Sequence, residues 1–162
     1  MIKKHFAILA MLLSFSLFSQ KYPFPQNITY KYGYKSQHIT SDDVNKEYNL
    51  WKATYVRPCT RDDEAKVVSK YGTEEKAISE GIGYGMLITA YIGDQELFNK
   101  LLNYHIRRRN IHGVMNWMYL GEETGDNKKN GATDADLDAA MALIVASKQW
   151  AKDKKYSAEA IK

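Results

Sequence analysis

Residues Ser79-Glu80-Gly81-Ile82-Gly83-Tyr84-Gly85-Met86 set one carboxylate at the mouth of a glycine-rich helix. Some fifty residues later, Ala132-Thr133-Asp134-Ala135-Asp136-Leu137-Asp138 sets three more at the start of another. An acid beside small residues and a tyrosine ring, with separate acceptors for hydroxyl groups, is what water-assisted cleavage of a glycosidic bond requires. Glu80 is the candidate general acid. That role needs a proton held near neutrality, which low-polarity surroundings and nearby carboxylates such as Asp134 favour. The competing reading is a carboxylate drawn to a first helical turn by the helix dipole.

Gly81, Gly83 and Gly85 each cost a helix about 1 kcal/mol relative to alanine, so a reason for them is expected. They let a sugar ring or another helix approach the backbone, and they leave Glu80 and Tyr84 uncovered; close helix packing is the rival explanation. A dinucleotide fingerprint is excluded, because the third glycine is wrongly spaced and no strand is predicted before it. Asp134, Asp136 and Asp138 resemble the opening of a calcium loop, but Ala139 and Val145 stand where glycine and glutamate are needed, so no metal is expected. On a helix, Asp134 and Asp138 face one side and Asp136 faces away. Trp117 and Tyr84 are candidate substrate-binding residues, since flat aromatic faces stack on pyranose C–H faces; core packing competes.

These residues need helices to hold them. Ser41-Asp42-Asp43 predicts the start of a first helix, with Val44, Tyr48, Trp51 and Tyr55 as its stripe and Pro58 as its end. Ser79 is expected to cap a second helix running to Gly93, and Asp94 a third, whose Leu97, Phe98, Leu101, Leu102 and His105 keep a one-sided 3.6-residue period. His105 reads as a helix-face histidine. Residues 110–131 form a long connection carrying Trp117, a kind of segment that tends to be functional. Thr133 is expected to cap a fourth helix reaching Trp150, and a fifth begins at Tyr156. No strand is predicted between Arg61 and Thr73 or elsewhere, so the fold class is all-α, built of helical hairpins with consecutive helices antiparallel.

Residues 1–20 read as a secretory signal: Lys3, Lys4 and His5 precede an apolar run from Phe6 to Leu13 that is too short to span a bilayer, with cleavage expected between Phe18 and Lys21. Residues 21–40 read as an extended lead-in, and 41–162 as the body. The full chain carries a formal charge of +4; losing the signal leaves 21 basic side chains against 19 acidic ones. This balance gives no argument for nucleic acid, and Arg107-Arg108-Arg109 is expected at the solvated end of a helix. Cys59 is the single cysteine, so no intrachain disulfide forms and a packed core must supply stability. A secreted monomer with no membrane span in the mature chain is expected.

With these residues quoted, the sequence resembles glycoside hydrolase family 8, the bacterial cellulases, lichenases, chitosanases and xylanases. The Ser-Glu-Gly-x-x-Tyr-Gly-Met type of segment falls on Ser79–Met86, and the Ala-Thr-Asp-x-Asp segment opening a helix that ends in an aromatic falls on Ala132–Trp150. The resemblance runs from about Tyr48 to Ala160. It implies the first part of an (α/α)6 barrel, Glu80 as proton donor, Asp134 as the carboxylate holding the sugar at the cleavage subsite, and Trp117 as a stacking aromatic. One departure is Ala139, where the family favours Ile or Met. No cofactor is implied, and the implied substrate is a polysaccharide, β-glucan or chitosan.

The resemblance further implies an inverting endo-β-1,4-glucanase. Its general base would come from a later hairpin, because twelve helices need on the order of 300 residues and about four are complete here. These 162 residues alone are therefore expected to be inactive. Chitosanase, lichenase and xylanase activities are the enzymatic alternatives. From other classes, a helical carbohydrate-binding module and a scaffold without a sugar site remain.

Overall fold

The computed structural model describes residues 24–25, 31–34, 36–119 and 130–162. The secretory segment, most of the lead-in and residues 120–129 of the long connection lie outside them. The described part of the lead-in meets the body at Phe24, whose ring lies 6.5 Å from that of Tyr91.

Helix α1 spans Ser41–Tyr55 and is started by Thr40. The Thr40 hydroxyl accepts from the Asp43 N–H at 3.2 Å, while the Asp43 carboxylate accepts from the Thr40 N–H at 2.8 Å, a reciprocal cap. The helix stops at Tyr55, ahead of Pro58, because Val56 is already extended and opens a strand. Its stripe is only half-buried at Val44, Tyr48 and Trp51, and Tyr55 is exposed. Tyr48 donates to Asp94 at 2.6 Å and Lys52 pairs with the same carboxylate at 2.7 Å, which ties α1 to the start of helix α3 (Gln95–Arg107).

The expectation of no strands is corrected by five short ones: β1 (Val56–Pro58), β2 (Ala65–Val67), β3 (Ser69–Tyr71), β4 (Glu74–Ile78) and β5 (Met118–Tyr119). β1 pairs antiparallel with β2, and β3, β4 and β5 form a three-stranded antiparallel sheet. The β3–β4 hairpin turns through Gly72 and Thr73, with Tyr71 opposite Glu74 and Gly72 at φ 64°. Buried Ala65, Val67 and Ala77 turn these strands toward the helices.

Helix α2 is Ser79–Ile92, α3 is Gln95–Arg107, α4 is Thr133–Gln149 and α5 is Lys155–Glu159. Gly93 at φ 86° ends α2 in the left-handed conformation, and Asp94 caps α3 by accepting from the Leu97 N–H at 3.0 Å, so the two form an antiparallel hairpin. Ser79 and Thr133 do not cap their helices; the cap positions are Ile78 and Ala132, without side-chain cap bonds. At α2 the reason is that Ile78 is still paired in β4, and the Ser79 N–H is already taken by the Trp117 carbonyl at 2.9 Å.

Helices α2 and α4 pack side by side and run parallel. Near their starts a Cβ at Gly83 would lie 2.9 Å from the Ala135 carbonyl oxygen, and near their ends the Gln149 amide donates to the Ala90 carbonyl at 3.3 Å. A Cβ at Gly85 would lie 2.7 Å from Val67 Cγ2 and 3.1 Å from Leu101 Cδ1. Gly83 and Gly85 thus serve packing within the protein, and the reading in which the glycine series makes room for a sugar is corrected at these two positions.

The core centres on α2, α3 and α4, with Ile82, Met86, Phe98, Leu101, Ala142 and Leu143 fully or nearly fully buried. Five-residue α5 is too short to hold by itself. It is anchored by buried Tyr156, whose ring meets Phe98 at 5.3 Å and Trp150 at 5.4 Å and whose hydroxyl bonds Gln95 and Asn99, each at 2.9 Å.

The arginine run is not a solvated helix end. Arg107 bonds Asp63 and Glu64, Arg108 is 2% exposed and pairs with Glu64 at 2.9 Å beneath the Tyr104 ring, and Arg109 pairs with Glu159 on α5. The carboxylates draw the run inward, so it clamps the β1–β2 loop and α5 onto the end of α3.

Candidate active site

Glu80 lies in the first turn of α2 and Asp134 in the first turn of α4. Because those helices are parallel neighbours, the two carboxylates stand at the same end of the helical layer. Glu80 is half-buried, and its Oε2 accepts from the Ser79 hydroxyl at 3.1 Å. Asp134 is exposed. Tyr84, one turn along α2 from Glu80 and therefore on the same helix face, is 53% exposed.

Trp117 links the two helix starts through its backbone. Its carbonyl accepts from the Ser79 N–H at 2.9 Å, and its own N–H donates to the Asn130 carbonyl at 3.1 Å. The adjoining pairs Ile78↔Met118 and Asn116↔Gly131 continue both ties. With the main chain committed on both sides, the indole remains 39% exposed at that end.

Below Trp117 the connection carries a buried polar chain. The Asn110 amide donates to Asn116 at 3.1 Å, the Asn116 amide donates to the Tyr119 hydroxyl at 3.2 Å, and that hydroxyl donates to the Arg108 carbonyl at 2.9 Å. Asn116 is 1% exposed. A fully bonded buried network of this kind holds a loop in one conformation.

The three aspartates of α4 separate by face. Asp138 Cβ lies under Gly83, within 3.1 Å of where a Cβ there would stand. Asp136 is half-buried, with Oδ2 3.6 Å from where a Cβ on Gly131 would stand. Burial, with Asp134 nearby, raises the Asp136 carboxyl above the usual carboxylate range, against the pull of the Met115 backbone N–H and the Arg109 charge. His105 Nε2 is 4.0 Å from Asp136 Oδ1, too long for a hydrogen bond. Burial, reinforced by the Arg109 charge, pulls the imidazole down to about 4 against the opposing pull of Glu159, so His105 is a neutral core residue at pH 7.

Among the described residues, no group of three His, Cys, Asp or Glu side chains is placed to hold a metal ion, and no helix is long and apolar enough to cross a membrane. What this end of the molecule offers is a half-buried carboxyl, an exposed carboxylate and two exposed aromatic rings.

The sequence matches the profile of glycosyl hydrolases family 8 over residues 3–161. The chain belongs to glycosyl hydrolases family 8. Among curated relatives, it is 36% identical over 135 residues to Endoglucanase 2 of Ruminiclostridium josui, covering 79% of this chain and 29% of that protein. It is 31% identical over 156 residues to the Beta-glucanase of Niallia circulans, covering 89% and 37%. Among solved structures, the apo Beta-1,3-1,4-glucanase from Paenibacillus sp. X4 superposes with a TM-score of 0.73 at 28% identity, over 88% of this chain and 40% of that one. The chain therefore spans about three-tenths to two-fifths of the length of these three proteins.

Within family 8, its helical hairpins form the opening part of the (α/α)6 barrel, and the parallel pair α2 and α4 with the antiparallel α3 is that architecture in miniature. Ala139, the departure from the family pattern, is buried against Gly83, with its N 3.6 Å from where a Cβ there would stand. Sequence reasoning missed Asn116, whereas the alternation of the three aspartates already turned Asp136 away from Asp134 and Asp138.

Proposed function

We propose that this protein is a secreted endo-β-1,4-glucanase acting by inversion, with Glu80 as the proton donor. The observation that supports this most is the convergence of Glu80, Asp134 and Trp117 through the two backbone bonds of Trp117, to Ser79 and to Asn130. In this reading, the Glu80 carboxyl gives its proton to the glycosidic oxygen as the bond to the anomeric carbon breaks. Asp134 accepts hydroxyl protons of the neighbouring ring, and the Trp117 and Tyr84 rings stack on sugar faces. A water attacks from the opposite face, activated by a second carboxylate standing roughly 6.5–9.5 Å from the acid. The reading assigns that base to a residue outside these 162, in keeping with the 29% of Endoglucanase 2 that the chain spans.

Mixed-linkage β-1,3-1,4-glucan is the second candidate substrate, favoured by the TM-score of 0.73 to the Paenibacillus glucanase. Comparing carboxymethylcellulose with lichenan separates the two. The acid assignment is tested by Glu80→Gln in the enzyme carrying these residues. Hydrolysis is expected to fall by about 10²–10⁴-fold with substrate still bound, and undiminished hydrolysis refutes the assignment.

A further inference from the structure

We infer that Ser79 is a positioning residue whose buried hydroxyl holds the Glu80 carboxyl by Oε2 and so leaves Oε1 as the oxygen that carries the acidic proton. The consequence for hydrolysis rests on the proposed function; the contact itself rests on the geometry. The Ser79 hydroxyl donates to Glu80 Oε2 at 3.1 Å, and among the described residues it has no other hydrogen-bond partner. Ser79 is 2% exposed, so water does not compete for that donor. An oxygen that accepts a hydroxyl proton in the neutral acid is the carbonyl one, and the carboxyl proton then belongs on its neighbour.

The placement of Ser79 fits this role better than a helix-capping one. The cap position of α2 is Ile78, so Ser79 already lies inside the first turn and its hydroxyl caps nothing. Hydroxyls further along the helices bond back to main-chain carbonyls, as Thr54 does to Leu50, Thr89 to Gly85 and Ser147 to Ile144, each at 2.7 Å. Ser79 has no turn of α2 before it to bond back to. Its main chain is also fixed, since its N–H donates to the Trp117 carbonyl at 2.9 Å and the preceding residue, Ile78, pairs with Met118. A stationary donor thus meets a carboxyl on a flexible side chain. In hydrolysis the Oε1 proton passes to the glycosidic oxygen, which keeps the electron pair of the breaking bond and leaves as an alcohol. The oxygen of water forms the new bond to the anomeric carbon, a water proton goes to the base, and Glu80 is left as a carboxylate whose charge reaches Oε2. The Ser79 hydrogen bond therefore strengthens as the proton departs.

The test is Ser79→Ala in the enzyme carrying these residues, which removes the hydroxyl and keeps the main-chain bond to Trp117. Kinetics are read on a cello-oligosaccharide and on the dinitrophenyl glycoside of the same sugar, whose leaving group departs without a proton. A crystal structure of the variant locates the Glu80 carboxyl. On the oligosaccharide, kcat should fall about tenfold with KM within about twofold, while kcat on the dinitrophenyl glycoside stays within about twofold of wild type and the carboxyl leaves its place beside residue 79. The inference is overturned if kcat falls equally on both substrates or on neither. It is also overturned if the carboxyl keeps its wild-type position. If the wild type hydrolyses neither substrate, or Glu80→Gln is fully active, the proposed function fails, and the position of the Glu80 carboxyl in Ser79→Ala alone then decides the positioning role.

Discussion

A Cβ built on Gly83 would stand 2.9 Å from the Ala135 carbonyl oxygen, closer than real Cβ atoms approach a backbone atom. The separation of α2 and α4, and with it the spacing of the helix starts that carry Glu80 and Asp134, is set at this contact. Helix α2 cannot yield without moving its neighbours, because it is also pressed at Gly85 against Val67 and Leu101.

Gly83→Ala is therefore expected to destabilise the protein by about 1–3 kcal/mol despite the better helix propensity of alanine. Gly81→Ala should do the reverse. Its Cβ would meet only Ile78 and Val67 side chains at 3.6 Å, an ordinary contact, so a gain of up to about 1 kcal/mol is expected. Urea denaturation of both variants checks this, and shifts of the same sign at the two sites would contradict it.

His105 makes stability depend on acidity. Its folded-state value of about 4 lies below the ordinary 6.5, so between those limits the unfolded chain binds the extra proton. Stability is then full above pH 6.5, falls as the pH drops toward 4, and loses about 3 kcal/mol from this group. Asp136, raised rather than lowered, works in the opposite sense. It adds stability below the ordinary carboxylate value, and that contribution fades as pH rises through its folded value. In melting curves from pH 7 to 4, His105→Gln should flatten the slope; an unchanged slope would exclude His105 as its source. Arg109 and Glu159, the charged groups acting on His105, stay paired with each other in this range.

The arginine clamp predicts a sharp contrast between two adjacent acids. Glu64 is 3% exposed and bonds both Arg107 and Arg108, and removing its carboxylate takes a buried counter-ion from the Arg108 charge. Glu64→Ala should cost about 3–5 kcal/mol in chemical denaturation. Asp63→Ala, at a solvent-facing partner of Arg107, should change stability little. Equal effects at the two sites would mean that burial is not what makes the clamp matter.

What was legible in the sequence was local. Asp94 and Gly93 punctuate the α2–α3 hairpin by chemistry contained within a few residues, and the α3 stripe from Leu97 to His105 shows because one face is buried and the other is not. The strands escaped because most are three residues long and get their partners from elsewhere; Ile78 pairs with Met118, forty residues on. The arginine run defeats a local reading for the same reason, since Glu64 and Glu159 lie more than forty residues away on either side. Gly83 could be seen to need an explanation, but not that Ala135 supplies it. The site follows this division. Glu80 and Asp134 stand out as motif residues, whereas their placement at one end depends on α2 and α4 being parallel and on the main chain of Trp117, which no local pattern encodes.

That use of the Trp117 main chain separates its structural contribution from that of its ring. The bonds to Ser79 and Asn130 are made by backbone atoms and survive any side-chain substitution except proline, while the indole is 39% exposed. Trp117→Ala should therefore leave the melting temperature nearly unchanged, yet raise KM for soluble β-glucan about tenfold in the enzyme carrying these residues, through loss of a stacking face. Trp117→Phe should recover part of the loss, since a smaller ring still offers a flat face. A melting temperature that falls in step with the change in KM would make the indole a packing residue and remove it from the proposed site.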